Sequence, residues 1–446
     1  MSPALTRGNG GHWRRVCLAA LLAASLAGCA SSLPSIKNPF KKVEDKLPGE
    51  RVAVITDQNL VNVDPAAAAK PISLPPPVAN ASWSEPGGNP TNNLGHLALG
   101  ERLNRVWRVD IGTGSSSSGR LSAIPLVAGG KVFTLDAGGT ISAFSAASGG
   151  KLWATNVTPK REKRAEGFGG GLALDGGRLY ATTGYGIVVG INPEGGAVLW
   201  TQNVGEPVRS SPTAAGGRVY FVSIDSVLRC LDGADGQELW RARGVPEPAT
   251  LLSNVSPAIG KGLVIAAFPA GNVRAYGTST GKPSWRDSIA RSSETTASGI
   301  LADPARPVIS RGVVYVVSHG GKMIAVSEAT GERLWTRNLT STQMPWVAGD
   351  TVFVVEVTGK LMALARADGK VRWLTELPGK ARWNGPVLAG GQLWLVSADG
   401  SLVGVNARSG QVASTTNLGT KVFVSPVVAG GRMYILADNA TLYALN

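Results

Sequence analysis

One spacing constrains this chain more than anything else in it. A small residue is followed six positions later by Gly and four positions after that by Trp. Ala143, Gly149 and Trp153 form the first copy, and Gly190, Gly196 and Trp200 the second. Cys230, Gly236, Trp240; Ala275, Gly281, Trp285; Ala325, Gly331, Trp335; and Ala363, Gly369, Trp373 follow. A seventh copy keeps Gly404 and Gly410 but has Ser414 in place of Trp, and an eighth opens at Ala444. Self-similarity at a period of about 40–50 residues marks a solenoid or a propeller.

Each copy has the same inner order. A Gly-rich turn precedes a β-prone run, as in Gly129-Gly130 before KVFTL, Gly216-Gly217 before RVYFV and Gly312 before VVYVV. Gly supplies the positive φ that a tight hairpin needs. The runs are apolar at both alternating positions, so both strand faces should be buried. One unit then reads as four short antiparallel strands; in the third, these are SPTAA, VYFVSI, VLRCLD and ELWRAR. Such sheets repeated around an axis make a β-propeller. The last unit has three strands, and Asn104–Val109 looks like a lone outer strand, Trp107 included, with Leu97 at the small-residue position. The expectation is an all-β, eight-bladed β-propeller of four-stranded antiparallel blades, closed by this N-terminal strand so that no free sheet edge is left at the joint. The spacing resembles the tryptophan-docking motif of the quinoprotein-like propellers. That resemblance implies structural docking roles for Trp107, Trp153, Trp200, Trp240, Trp285, Trp335 and Trp373. A large ring needs a small neighbour and a backbone without Cβ.

The start of the chain reads as targeting. Arg7, Arg14 and Arg15 precede an apolar run from Val16 to Leu26, too short to span a bilayer. It ends in Leu26-Ala27-Gly28-Cys29, which resembles a bacterial lipobox. The resemblance implies cleavage before Cys29 and acylation of that residue, giving stable anchoring through several acyl chains. Ala30 rather than Asp after the Cys points to the periplasmic face of the outer membrane. The expected organisation is a signal peptide over 1–28, a lipidated Pro-rich tether over 29–81 and the propeller over 82–446. Losing residues 1–28 removes three arginines and no carboxylate, so the net charge falls from +14 to +11. This balance favours acidic partners and anionic surfaces, while the periplasmic address excludes nucleic acid. Of three cysteines, Cys17 leaves with the signal and Cys29 carries lipid. Cys230 fills a small-residue position as a buried structural thiol.

Catalytic groups are not apparent. Quinoprotein dehydrogenases share the propeller and resemble one another in a vicinal Cys pair, an acidic base and a calcium-binding set; this chain has no adjacent cysteines. Asp232, Asp235 and Asp368 fall in repeat turns, where such residues satisfy backbone N–H groups. His96 and His319 lack a companion for zinc, the Ser runs lack a nucleophile elbow, and Gly167–Gly171 is no phosphate loop. No catalytic, cofactor or metal residue is expected. Trp346, Trp383 and Trp394 could offer a sugar stacking faces, but they fall in strands and should pack.

What stands out is irregular connectors. Trp-to-Trp intervals run 46, 47, 40, 45, 50 and 38. Long insertions on one propeller face commonly bind partners. The connector after Asn156 carries Lys160, Arg161, Lys163 and Arg164, and two adjacent ones, 241–256 and 286–306, carry apolar pairs Leu251-Leu252 and Ile300-Leu301. With the lipobox and tether, the chain resembles the BamB family, lipoprotein subunits of the outer-membrane β-barrel assembly machinery. The resemblance implies a non-enzymatic scaffold that docks POTRA domains of the BamA-type barrel subunit beside other assembly subunits and aids insertion of unfolded outer-membrane protein clients. Family contacts are a Leu-x-Leu-Arg and an Asp-x-Asp segment. Leu251 falls on the second Leu, Leu252 where Arg would be, and Asp303 on one acidic position. Ala249 and Ala305 depart from the pattern, so the partner-binding set is Leu251, Leu252 and Asp303. The alternative is a divergent periplasmic quinoprotein dehydrogenase.

Overall fold

The computed structural model describes residues 61–446 apart from 118, 163–166, 168, 245–254, 270, 290–303 and 380. Eight four-stranded antiparallel sheets follow one another as blades of a propeller. Strands are lettered A to D from the axis outward. Blade 1 spans 126–156, blade 2 170–203, blade 3 213–243, blade 4 258–288, blade 5 308–337, blade 6 346–376 and blade 7 383–417. Blade 8 takes A, B and C from Val427–Ala429, Arg432–Leu436 and Thr441–Leu445, and D from Arg105–Asp110. The chain's two ends thus close the ring. Trp107 pairs with Ala444, and Asn104 and Asn446 exchange both backbone hydrogen bonds at 2.7 and 2.9 Å. The small residue opposite Trp107 is therefore Ala444, not Leu97.

Burial follows the sequence pattern. Strands B and C are apolar on both faces and buried between neighbouring blades, as in Val352, Phe353, Val354 and Val355. Strands D are exposed at alternate residues, as in Lys151–Asn156 and Glu238–Arg243. A–B and C–D turns lie at one end of the barrel of blades; B–C turns and the connectors to the next blade lie at the other.

Seven blade joints repeat one contact. Each Trp sits opposite the small residue of its own strand C, as in Cys230↔Trp240 and Ala325↔Trp335. Its indole N–H donates to a carbonyl in the C–D turn of the next blade: Ala146, Pro193, Gly233, Thr278, Glu328, Arg366 and Ala407, at 2.8 to 3.2 Å. The ring lies against the Gly of that turn so closely that a Cβ there would come within 2.5–2.8 Å of it. On its other side an aromatic residue of strand B packs at about 6 Å in six blades, for example Tyr220 with Trp240 at 5.9 Å.

Residues 29–60 of the expected tether lie outside the described residues. From residue 61 the chain is fastened to the propeller. Asp64 caps the one-turn helix Pro65–Ala68, its N–H donates to Val371 O, and its carboxylate pairs with Lys370 at 3.3 Å. The chain then crosses blade 6, where Ser73 N–H donates to Asp350 Oδ1 at 3.1 Å.

Candidate functional site

Past blade 6, residues 80–97 make one circuit of the propeller axis, touching the blades in order. Asn80 bonds Val428 O and Gly430 N–H of blade 8. Trp83 exchanges two backbone bonds with Val127 of blade 1, at 2.7 and 2.9 Å. Leu174 N–H of blade 2 donates to Ser84 O, and Ala214 N–H of blade 3 to Glu85 Oε1. Ile259 and Ile309, in blades 4 and 5, donate to Pro90 O and Thr91 O. Trp346 of blade 6 donates its indole N–H to Gly95 O at 2.7 Å, and Leu97 N–H donates to Leu388 O of blade 7. Every strand A offers an unpaired edge to the axis, and unpaired edge groups seek partners. The segment meets that edge in seven blades and, in blade 6, bonds the Trp346 indole instead.

The axis beside the A–B turns is consequently occupied by the protein itself. Trp83, 1% exposed, reaches from blade 1 to stack on Trp346 of blade 6, with ring centroids 6.2 Å apart. Glu85 is completely buried, and burial pushes its carboxyl well above the usual carboxylate range. His96 clamps the circuit: Nδ1 lies 2.7 Å from Pro75 O, and Nε2 accepts Gly391 N–H at 2.9 Å. The second bond requires a bare Nε2, which places the proton on Nδ1.

The other candidates resolve into packing. Trp346, Trp383 and Trp394 are buried. Asp232, Asp235 and Asp368 each accept an N–H two residues on, from Ala234, Gln237 and Lys370. Cys230 is a buried free thiol pushed up to about 12 by burial. No group of three metal-ligating residues occurs among the described residues.

Leu251, Leu252, Asp303 and Cys29 lie outside the described residues. The structure does place the strand ends that flank the two connectors. One connector follows Arg243, the end of strand D in blade 3, and leads to Ala258 in blade 4. The next follows Ser288 in blade 4 and leads to Val308 in blade 5. Both therefore leave the same end of the propeller on adjacent blades. This shoulder is rich in arginine. Arg243 and Arg286 are exposed, and Arg274 donates to Arg243 O at 3.2 Å while resting 6.0 Å from the Phe268 ring. Glu238 engages Arg229 and Arg241, both at 2.7 Å, and Asp287 engages Arg333 through Nε at 3.0 Å.

The family model described as outer membrane protein assembly factor BamB matches residues 95–166, 137–375 and 376–446. The chain belongs to the BamB family. The outer membrane protein assembly factor BamB of Yersinia pestis is 26% identical over 346 residues, covering 76% of this chain and 88% of that protein. BamB of Escherichia coli strain K12 is 25% identical over 355 residues, with the same coverage. Among solved structures, BamB from Moraxella catarrhalis superposes with a TM-score of 0.65 at 18% identity, covering 77% of this chain and 100% of that one. A quinohemoprotein alcohol dehydrogenase from Comamonas testosteroni superposes as well, with a TM-score of 0.66 at 13% identity, covering 82% of this chain and 80% of that one. At such identities the likeness shows the shared propeller and nothing of the chemistry.

Sequence reasoning passed over two things. The axial circuit has no period, so no pattern announces it. The A–B turns do carry a signal: Gly opens the turn in six blades, whereas Lys261 and Arg311 open it in blades 4 and 5.

Proposed function

We propose that this protein is a non-enzymatic assembly factor of the outer membrane, a rigid scaffold in the machinery that inserts β-barrel proteins. The observation that carries this reading is family membership over residues 95–446. Cys29 anchors the chain by lipid at the periplasmic face. The connectors of blades 3 to 5 dock POTRA domains of the barrel subunit. Leu251 and Leu252 supply apolar anchors, Asp303 a rim charge, and the Arg243–Arg274–Arg286 shoulder attracts acidic surface.

The test is direct binding between the purified protein and the POTRA fragment of its own barrel subunit. Leu251→Glu with Asp303→Lys should weaken binding about tenfold or more, at the scale of a lost hot spot, while the melting temperature stays put. Unchanged affinity would remove these residues from the interface. The dehydrogenase alternative has its own check: pyrroloquinoline quinone and calcium added to the protein should leave the quinone spectrum unaltered, and a shifted spectrum would favour it.

A further inference from the structure

A pocket of about 380 Å³ opens at the end of the propeller opposite the connectors, between blades 4, 5 and 6 and the N-terminal segment. Pro75, Thr91 and Asn93 line it on the segment's side, and Ile309 and Val347 give it an apolar wall. Three cationic residues border it. Arg366 is held in place, with Nε donating to Tyr315 Oη at 2.9 Å and Nη2 to Ser310 O at 2.6 Å. Lys261 and Arg311 are exposed.

The backbone under those two residues is unusual. Gly129, Gly176, Gly216, Gly349, Gly390 and Gly430 open the A–B turns of the other six blades with φ of 55 to 61°. Lys261 and Arg311 adopt φ of 44° and 49° at the equivalent places. Such angles are disfavoured for a residue with a Cβ. Only blades 4 and 5, two of the three that border this pocket, replace Gly there, and both do so with a cation. Strained non-Gly positions gather where a side chain has a task.

The pocket wall also holds acceptors without donors. Glu328, 2% exposed, directs Oε1 toward Gly260, and this oxygen has no hydrogen-bond partner. Asn93 Oδ1 is likewise buried and unpartnered. Buried polar atoms are normally satisfied, so the pocket is equipped to receive N–H donors beside its cationic rim and apolar wall.

We infer that this pocket is a second binding site, for a peptide residue that carries a carboxylate. The anion meets Lys261 and Arg311, the aliphatic part lies on Ile309 and Val347, and a main-chain N–H satisfies Glu328 or Asn93. Amide donors next to a carboxylate are the chemistry of a polypeptide rather than of a simple organic acid or of phosphate. The carboxylate can be a chain's C-terminus or an Asp or Glu side chain. The site lies at the opposite end from the connectors and stands whether or not these dock POTRA domains.

Ligand-observed NMR on the purified full-length protein separates these cases. Probes are acetyl-Ala-Leu with a free C-terminus, the same peptide amidated, acetyl-Ala-Glu amide, and inorganic phosphate. At least one carboxylate peptide should bind with a Kd of about 1 mM or tighter, in keeping with ligands of this size. Which of the two binds better identifies the terminal or side-chain source. The amidated Leu peptide and phosphate should bind at least tenfold more weakly. Lys261→Gly with Arg311→Gly restores what six blades already have, so the variant should keep or raise its melting temperature while losing at least tenfold in affinity. Absence of binding by both carboxylate peptides, equal binding by the amide or by phosphate, or affinity unchanged in the double variant would overturn the proposal. So would a lowered melting temperature without loss of binding, because Lys261, whose charge acts on the buried Glu328 carboxyl, would then serve that residue alone.

Discussion

At the scale of single residues, the docking Trp explains why the repeat tolerates so little change. The indole fills one blade joint, donates one hydrogen bond, and excludes a Cβ from the facing turn. Trp200→Ala should cost about 3–5 kcal/mol, the range for deleting a large buried side chain. Gly236→Ala should also destabilise, because its Cβ would meet the Trp200 ring at 2.5 Å and its φ is +79°. Thermal and denaturant unfolding check both. The same geometry accounts for Ser414. A Trp there would need the C–D turn of blade 8, but strand D of blade 8 is Arg105–Asp110, paired to strand C without a connecting turn. The missing Trp faces a missing Gly. Ser414→Trp should therefore bring no stabilisation, and a gain of several kcal/mol would show that the turn is dispensable.

At the scale of elements, the repeat was legible and the axial circuit was not, for one physical reason. Blade strands bury both faces against identical neighbours, so their demands recur at fixed spacing. Residues 80–97 meet seven of the eight blades through their own backbone groups, blade 3 being reached through the Glu85 side chain, and backbone bonds ask little of side-chain identity. The Pro-rich composition that suggested a tether through residue 81 also suits a segment with few N–H groups to satisfy. The proposed partner-binding residues Leu251, Leu252 and Asp303 were legible only through resemblance, because they lie outside the repeated spacing. Glu85 tests the circuit. Its folded-state pKa is raised, so the folded protein holds a proton that the unfolded chain has lost above the ordinary carboxylate value. That contribution is complete below about pH 4.5 and declines by about 1.4 kcal/mol per unit as pH rises toward the folded-state pKa. Glu85→Gln can still accept Ala214 N–H through its carbonyl. It should match or exceed the parent's melting temperature at pH 7 and flatten the pH dependence above pH 5. An unaltered slope would show that Glu85 is not the group responsible.

At the scale of the whole molecule, the Arg105–Asp110 strand closes the ring of blades, and residues 80–97 tie the blades together at the axis. At one end lie the strand ends that flank the two connectors, with Arg243, Arg274 and Arg286, and at the other the pocket of Lys261 and Arg311. Such a closed ring suits a scaffold, which gains affinity where its surface is pre-organised. The most direct measurement of that role is co-purification: the protein, tagged on a flexible spacer after Asn446, is recovered from native membranes in mild detergent. The account predicts a POTRA-bearing barrel protein in near-stoichiometric amount. Recovery of the propeller alone, or with a cytochrome in its place, would contradict it.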